Sequence, residues 1–307
     1  MVKASLNFES GCPIAKVVGG DMAGLVLHMD TDDHKKSKKR LRLPHGVKMP
    51  PRKEAELMHF LQDAYAKGIP PEHLDAVDSI KELYSQMFDS AESSSEVELP
   101  PNSTFSLLPS SDAKTREVWY VAGPSGSGKS YIARGLAMEY HSQFPDRPIY
   151  LLSKLSEDST LDKLKYLVRI DPSKLVENPI TDLDMLKDCM LIADDVDTFD
   201  KETDKVVQKL IDDIATMGRH SNTTLLFLTH YLSNYKKSRL LLMEATHFVL
   251  YPMSTGSHAF NYTMKTYLGI DKEEATSIRK AGSRWVCLKK SFPQYMVTEH
   301  SAKIMNQ

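Results

Sequence analysis

Along most of the chain, short uninterrupted apolar blocks alternate with longer stretches in which apolar residues recur every three or four positions. The blocks fall at 118–122, 149–152, 190–193, 225–228 and 248–251. Each is of strand length and apolar at nearly every position, as expected of strands buried on both faces. The helical stretches fall around 130–144, 203–217 and 271–281. In the first, Ile132, Leu136 and Tyr140 share a face; in the second, Val206, Leu210, Ile211 and Ile214 do, with Lys205, Lys209 and Asp213 elsewhere. This alternation predicts an α/β fold, a parallel sheet between helices. No period of solenoid length interrupts it.

The pattern changes upstream. Residues 89–112 turn polar and Pro-bearing with few large apolar side chains, the texture of a linker. Before them, 54–66 carries Leu57, Met58, Leu61 and Tyr65, and 71–88 carries Leu74, Val77, Ile80, Leu83 and Met87, which predicts two short amphipathic helices. The run 25–29 has the look of a strand with no assigned partner. The chain thus divides into a small, mainly helical amino-terminal region at 1–88, a linker at 89–112 and an α/β domain at 113–307.

The strand predicted at 118–122 runs directly into Gly123-Pro124-Ser125-Gly126-Ser127-Gly128-Lys129-Ser130, and the helical pattern begins immediately after. Strand, glycine-rich turn with a terminal Lys-Ser, and helix in that order form a phosphate-binding loop. The glycines let the backbone point successive N–H groups inward. Lys129 adds a mobile cation, Ser130 offers a hydroxyl to Mg²⁺, and the phosphates sit at a helix N-terminus. The ligand this predicts is a nucleoside triphosphate, ATP, with Mg²⁺. In this setting the sheet is of the P-loop NTPase type, and the apolar blocks supply its additional strands.

Two further blocks end in polar groups. The run 190–193 leads into Asp194 and Asp195, which places Asp194 as the Mg²⁺ ligand and Asp195 as the group that orients the attacking water. The run 225–228 leads into Thr229 and His230, candidates to sense the terminal phosphate from the middle of the sheet. Just before it, Gly218 closes a helix and Arg219 stands on a turn from which a guanidinium could serve a neighbouring subunit. Arg239, Arg279 and Arg284 are rivals for that role. The dense basic run from His34 to Arg42 suits DNA backbone, a nuclear address or a solvated loop, and Lys236 and Lys237 form a smaller cluster with no specific role.

Composition narrows the setting. At 307 residues, 41% hydrophobic and a formal net charge of −2, the chain is globular and has no global attraction for nucleic acid, so any DNA contact is local or arises from the arrangement of subunits. Cys12, Cys189 and Cys287 are too dispersed for a metal site and read as reduced core residues. No stretch is long and apolar enough to span a bilayer, and no signal-peptide pattern follows Met1, so neither membrane insertion nor secretion is expected.

Taken in order, these motifs resemble the genome-packaging ATPases of large double-stranded DNA viruses, the poxvirus-type branch of the FtsK–HerA superfamily. The likeness spans about 117 to 300 and rests on 123–130, on Leu-Ile-Ala-Asp-Asp-Val-Asp at 191–197 and above all on Gly-Arg-His-Ser-Asn-Thr-Thr-Leu-Leu-Phe-Leu-Thr-His at 218–230. It implies phosphate and Mg²⁺ binding by Lys129 and Ser130, metal binding by Asp194, water activation by Asp195 and a finger role for Arg219. The family usually carries Gln where this chain has His230. The resemblance also implies a homo-oligomeric ring acting on double-stranded DNA beside capsid or portal-vertex proteins, in the virion or the host cytoplasm. A P-loop small-molecule kinase, or an assembly protein that uses ATP as a switch, remains as an alternative on the residues alone.

Overall fold

The computed structural model describes residues 4–31, 57, 60, 61, 64, 80, 81, 95–232 and 238–305. Strands β1 (Ala4–Asn7), β2 (Cys12–Val18) and β3 (Val26–Thr31) come first, followed by β4 (Glu96–Glu98) and β5 (Thr104–Leu107). The α/β part then runs β6 (Val118–Ala122), α1 (Lys129–Gln143), β7 (Ile149–Ser153), β8 (Leu167–Ile170), α2 (Pro172–Glu177), β9 (Met190–Asp194), α3 (Lys201–Met217) and β10 (Thr224–Thr229). It closes with α4 (Arg239–Glu244), β11 (His247–Leu250), α5 (Ser257–Leu268), α6 (Lys272–Lys280), β12 (Val286–Lys289), β13 (Tyr295–Thr298) and β14 (Ser301–Ile304).

One ten-stranded sheet organises the molecule, in the order β4-β14-β13-β12-β11-β6-β10-β9-β7-β8. From β11 to β8 every neighbouring pair is parallel; from β11 through β12, β13 and β14 to β4 every pair is antiparallel. The parallel part contains all five of the apolar blocks. Every residue of β6, β9, β10 and β11 is buried, because both faces are covered. Tyr120 and Phe227 point to one face, against Val207, Leu210, Ile211 and Ile214 of α3 and Phe260 and Met264 of α5. Val121, Ile192 and Leu226 point to the other, against Ile132, Leu136 and Tyr140 of α1. Local chemistry sets the helix ends. The Asp200 carboxylate caps α3 by accepting from the Glu202 and Thr203 amides at 3.1 Å, and a Cβ on Gly218 would collide with the Ile214 carbonyl.

A second, four-stranded antiparallel sheet in the order β1-β3-β2-β5 packs on the α1 side, where Leu6, Leu27 and Leu107 join the core around Leu136. Residues 4–31 are therefore stranded where a mainly helical region was expected. Of the two expected helices, Leu57, Phe60, Leu61, Ala64, Ile80 and Lys81 are helical, and the rest lie outside the described residues. The segment expected as linker is corrected from residue 95 onward: β4 extends the large sheet and β5 completes the small one. Its strands escape a hydrophobicity reading because each is short and buries only alternate residues, Phe105 and Leu107 in β5. Cys189 and Cys287 are core residues as expected, whereas Cys12 is exposed; all three are free thiols.

At the end of β6 away from the phosphate loop, Glu117 is buried beside a cavity of about 730 Å³ between the two sheets. Its carboxyl accepts from the Ser110 amide at 3.1 Å and from Trp119 Nε1 at 3.0 Å. Burial pushes its pKa up to about 7, against those two hydrogen bonds. His247, stacked on Trp119 with ring centroids 4.1 Å apart, is pushed down to about 3 by burial. The folded state thus holds a proton on Glu117 that the unfolded chain releases above its ordinary value of 4.5, so this residue's contribution to stability is full below that pH and is lost as pH rises towards 7. His247 acts in the opposite sense. In urea unfolding at several pH values, the stability of wild type relative to Glu117→Gln should fall between pH 4.5 and 7. A pH-independent difference would place the proton elsewhere.

Candidate nucleotide-binding site

The phosphate loop leaves the sheet at the carboxy end of β6, between β10 and β11. The Gly123 amide donates to the Thr229 carbonyl at 3.1 Å and ties the start of the loop to the end of β10. At this point there is no room for a side chain, since a Cβ on Gly123 would run into the Tyr251 ring. Gly126 and Gly128 have φ of +74° and +110°, conformations that other residues rarely adopt. The turn is closed by the Ser127 amide on the Pro124 carbonyl at 3.2 Å, and α1 starts at Lys129. Residues 123–128 thus carry the chain from β6 to the N-terminus of a 15-residue helix that begins at Lys129.

Lys129 is buried, and its ammonium donates to the carbonyls of Gly123 at 2.9 Å and Pro124 at 3.2 Å. Burial lowers its pKa, opposed by the negative charge of Asp195 and Asp194. Asp194 closes β9, the strand next to β10, and is almost fully buried at 3% exposure. Its pKa is pushed up to about 6, first by desolvation and then by Asp195 and Asp158, while Lys129 and His230 pull it down. Asp195 follows with a left-handed backbone, φ 52°, which turns its carboxylate out of the strand line.

That carboxylate meets His230, with Nε2 and Asp195 Oδ1 2.7 Å apart. The other ring nitrogen, Nδ1, is 3.5 Å from Lys129 Nζ. An ammonium has only donors, so Nδ1 accepts from it and Nε2 carries the hydrogen given to Asp195. His230 therefore bridges the loop lysine and the second acid, a link that no spacing in the sequence expresses. Thr229, the other sensor candidate, is committed to structure: its carbonyl holds Gly123, and its hydroxyl accepts from the Tyr231 amide at 3.2 Å.

Arg219 is not brought to this cluster. It is exposed on the turn before β10, at the end of the sheet opposite the loop, since β10 runs from Thr224 to Thr229 in parallel register with β6. Arg279 donates to the Thr255 carbonyl at 2.8 Å and lies 5.6 Å from the Phe260 ring centroid, and Arg239 opens α4. Arg284 is the arginine that reaches the loop within the chain, its Nε donating to the Ser127 carbonyl at 3.1 Å. The sequence named it only as a rival finger, because the antiparallel strands that carry it past the loop have no motif. Asp158, which raises Asp194, was missed. The basic run 34–42 and Lys236 and Lys237 lie outside the described residues.

Fold and loop together have the architecture of a P-loop protein. No family model matches the chain. A curated relative, "Uncharacterized protein V3" of Sputnik virophage, is 29% identical over 202 residues, 65% of this chain and 81% of that protein. Among solved structures, the genome packaging NTPase B204 of Sulfolobus turreted icosahedral virus 2 in complex with ATP-gammaS is 15% identical with a TM-score of 0.41, covering 60% of this chain and 97% of that one. The pCW3 conjugation coupling protein TcpA with ATPgS is 12% identical with a TM-score of 0.43, covering 68% and 66%.

The residues present fit a triphosphate with a divalent cation. The loop places positive-φ glycines at the start of α1, and Asp194 is a desolvated carboxylate crowded by two others, which a cation relieves. Among the described residues no group of three or more His, Cys, Asp or Glu side chains is arranged to hold a metal. A cation here would be held by Ser130 and Asp194 and completed by phosphate oxygens and water, the habit of Mg²⁺. Lys129→Ala removes the cation inside the loop and should lower ATP turnover on the order of 10²-fold or more. Turnover near wild type in a coupled phosphate-release assay would remove the loop from the reaction.

Proposed function

We propose that this protein is an ATPase motor that moves double-stranded DNA, with viral genome packaging as its setting. The observation that carries the catalytic part is the convergence of Lys129, Asp194, Asp195 and His230 at the carboxy ends of three adjacent strands, beside the glycine cradle. Phosphoryl transfer to water needs positioning and charge more than strong acids or bases. Lys129 and the loop amides hold the phosphates and take up charge that develops on them. When bound, Mg²⁺ supplies further neutralisation of the phosphate oxygens, and Ser130 and Asp194 hold it. Asp195 accepts a hydrogen bond from the attacking water and sets its direction, while His230 fixes the Asp195 carboxylate on one side and contacts Lys129 on the other. A change at the loop lysine is thereby transmitted to the residue that orients water.

The motor part rests on the motif resemblance, in particular 218–230. In this reading 113–307, with β4 completing its sheet, is the ATPase unit, the chain assembles as a homo-oligomeric ring, and capsid or portal-vertex proteins at the viral assembly site are its partners. No helix among the described residues is long and apolar enough to cross a membrane. ATP turnover measured with and without double-stranded DNA, at several protein concentrations, tests the proposal. Turnover should rise with DNA and with concentration, and Asp195→Asn should bind ATP but hydrolyse it slowly. Phosphate appearing on an added small molecule instead of in solution would identify a kinase.

Arg219 is too far along the sheet to serve its own site, so a finger role requires a neighbour. Arg219→Ala should bind ATP normally and hydrolyse it poorly. Mixed with Lys129→Ala subunits it should regain part of the activity, because one subunit then offers an intact loop and the other an intact arginine. Co-assembled mixtures without recovery would leave Arg219 with no role in hydrolysis.

A further inference from the structure

The carboxylates and His230 lie on the β9 and β10 side of the loop, which sets the end of the site at which the terminal phosphate reacts. A nucleotide oriented this way must leave the loop on its other side, towards β11 and β12. There a groove of about 460 Å³ runs along the exposed flank of α1, starting at Tyr131 just beyond the loop, within the size range of small-molecule sites. Arg284 forms the corner where the groove meets the loop. Its guanidinium lies 3.3 Å from the place a Cβ on Gly128 would occupy, and its amide is held by Glu299 Oε2 at 2.7 Å.

The groove has the chemistry of a nucleoside site. Tyr131, the residue after Ser130, leaves its ring 71% exposed on one wall, although α1 buries apolar residues at the next position and beyond. Trp285 and Phe105 form apolar floor nearby. Arg134, one turn along α1 from Tyr131, also lines the groove. The far wall comes from the amino-terminal sheet, through Val18 of β2 and Thr104 of β5, and the Lys16–Glu139 ion pair at 3.5 Å ties that sheet to α1 along the groove.

We propose that this groove is the nucleoside subsite, in which the base stacks on Tyr131, Arg134 lies along the ribose side of the groove, and Arg284 flanks the inner phosphates. The inference rests on the nucleotide-binding reading above and gives the amino-terminal sheet a part in it, as one wall of the substrate site. Stacking on an aromatic ring is tolerant of the base, so the subsite provides affinity for a nucleoside over bare phosphate more than a choice among bases.

Two probes separate this proposal from the loop assignment: a non-hydrolysable ATP analogue, and inorganic tripolyphosphate, which has the phosphates without the nucleoside. Calorimetric titration of the full chain should show wild type binding the analogue more tightly than tripolyphosphate. Tyr131→Ala, and Val18→Trp, which fills the groove from the opposite wall, should each weaken the analogue on the order of tenfold, the size of one base–aromatic stack. Tripolyphosphate affinity should not change in either variant. Both side chains are exposed, Val18 at 51%, so the fold should tolerate both changes. Lys129→Ala, in contrast, should weaken both probes. An unchanged ratio of the two affinities in both variants, or a wild type that prefers tripolyphosphate, overturns the subsite and leaves the loop assignment standing. A wild type that binds neither probe overturns both.

Discussion

The hydrogen bond from the Gly123 amide to the Thr229 carbonyl is the joint on which the site depends. It fixes the place where the chain leaves β6 and couples that exit to the end of β10, the strand that also delivers His230. It forms only because β6 is buried on both faces and paired on both edges, so the loop cannot shift without breaking a ladder. The apolar blocks are therefore more than a core. They hold the carboxy ends of β6, β9 and β10 in one register, and the polar residue that follows each strand arrives beside the others.

The electrostatics follow from that convergence. Two adjacent carboxylates, Asp158 nearby and a lysine are gathered where water is partly excluded: burial and the neighbouring carboxylates push Asp194 up to about 6, while burial lowers Lys129 against the pull of Asp195 and Asp194. Such a cluster is costly in an isolated fold, and groups of this kind gather at sites that bind charge. His230 moderates it by accepting from the lysine and donating to Asp195 through its two ring nitrogens, separated by the width of the ring. A glutamine amide presents its donor and acceptor from one end, so the two residues would shape the same site differently.

The amino-terminal sheet shows how a region without motifs can belong to a site. It packs on the α1 face of the large sheet through Leu6, Leu27 and Leu107, and in doing so turns one flank of the phosphate-loop helix into a groove. The antiparallel extension works in a similar way from the other direction, since β12 and β13 carry Arg284 and Glu299 past the loop. Neither part has the glycine-rich or acidic signatures that mark a nucleotide site, and both act only through where they are packed.

The sequence by itself determined the elements with strong local chemistry. The five apolar blocks became the buried parallel strands, the glycine run became the loop and helix start, and Asp194 lay at a strand end, because burial on both faces and positive-φ turns leave plain marks in residue type. Strands β1, β2, β4 and β5 were not legible, since a short strand with one buried face needs only two or three apolar residues, and whether those pair is decided by distant partners. The same limit applied within the site. The His230 contact to Asp195, the reach of Arg284 to Ser127 and the separation of Arg219 from its own loop each join or part residues far apart in the chain. Only the packing of the sheet sets those distances, so the tertiary structure alone decided them.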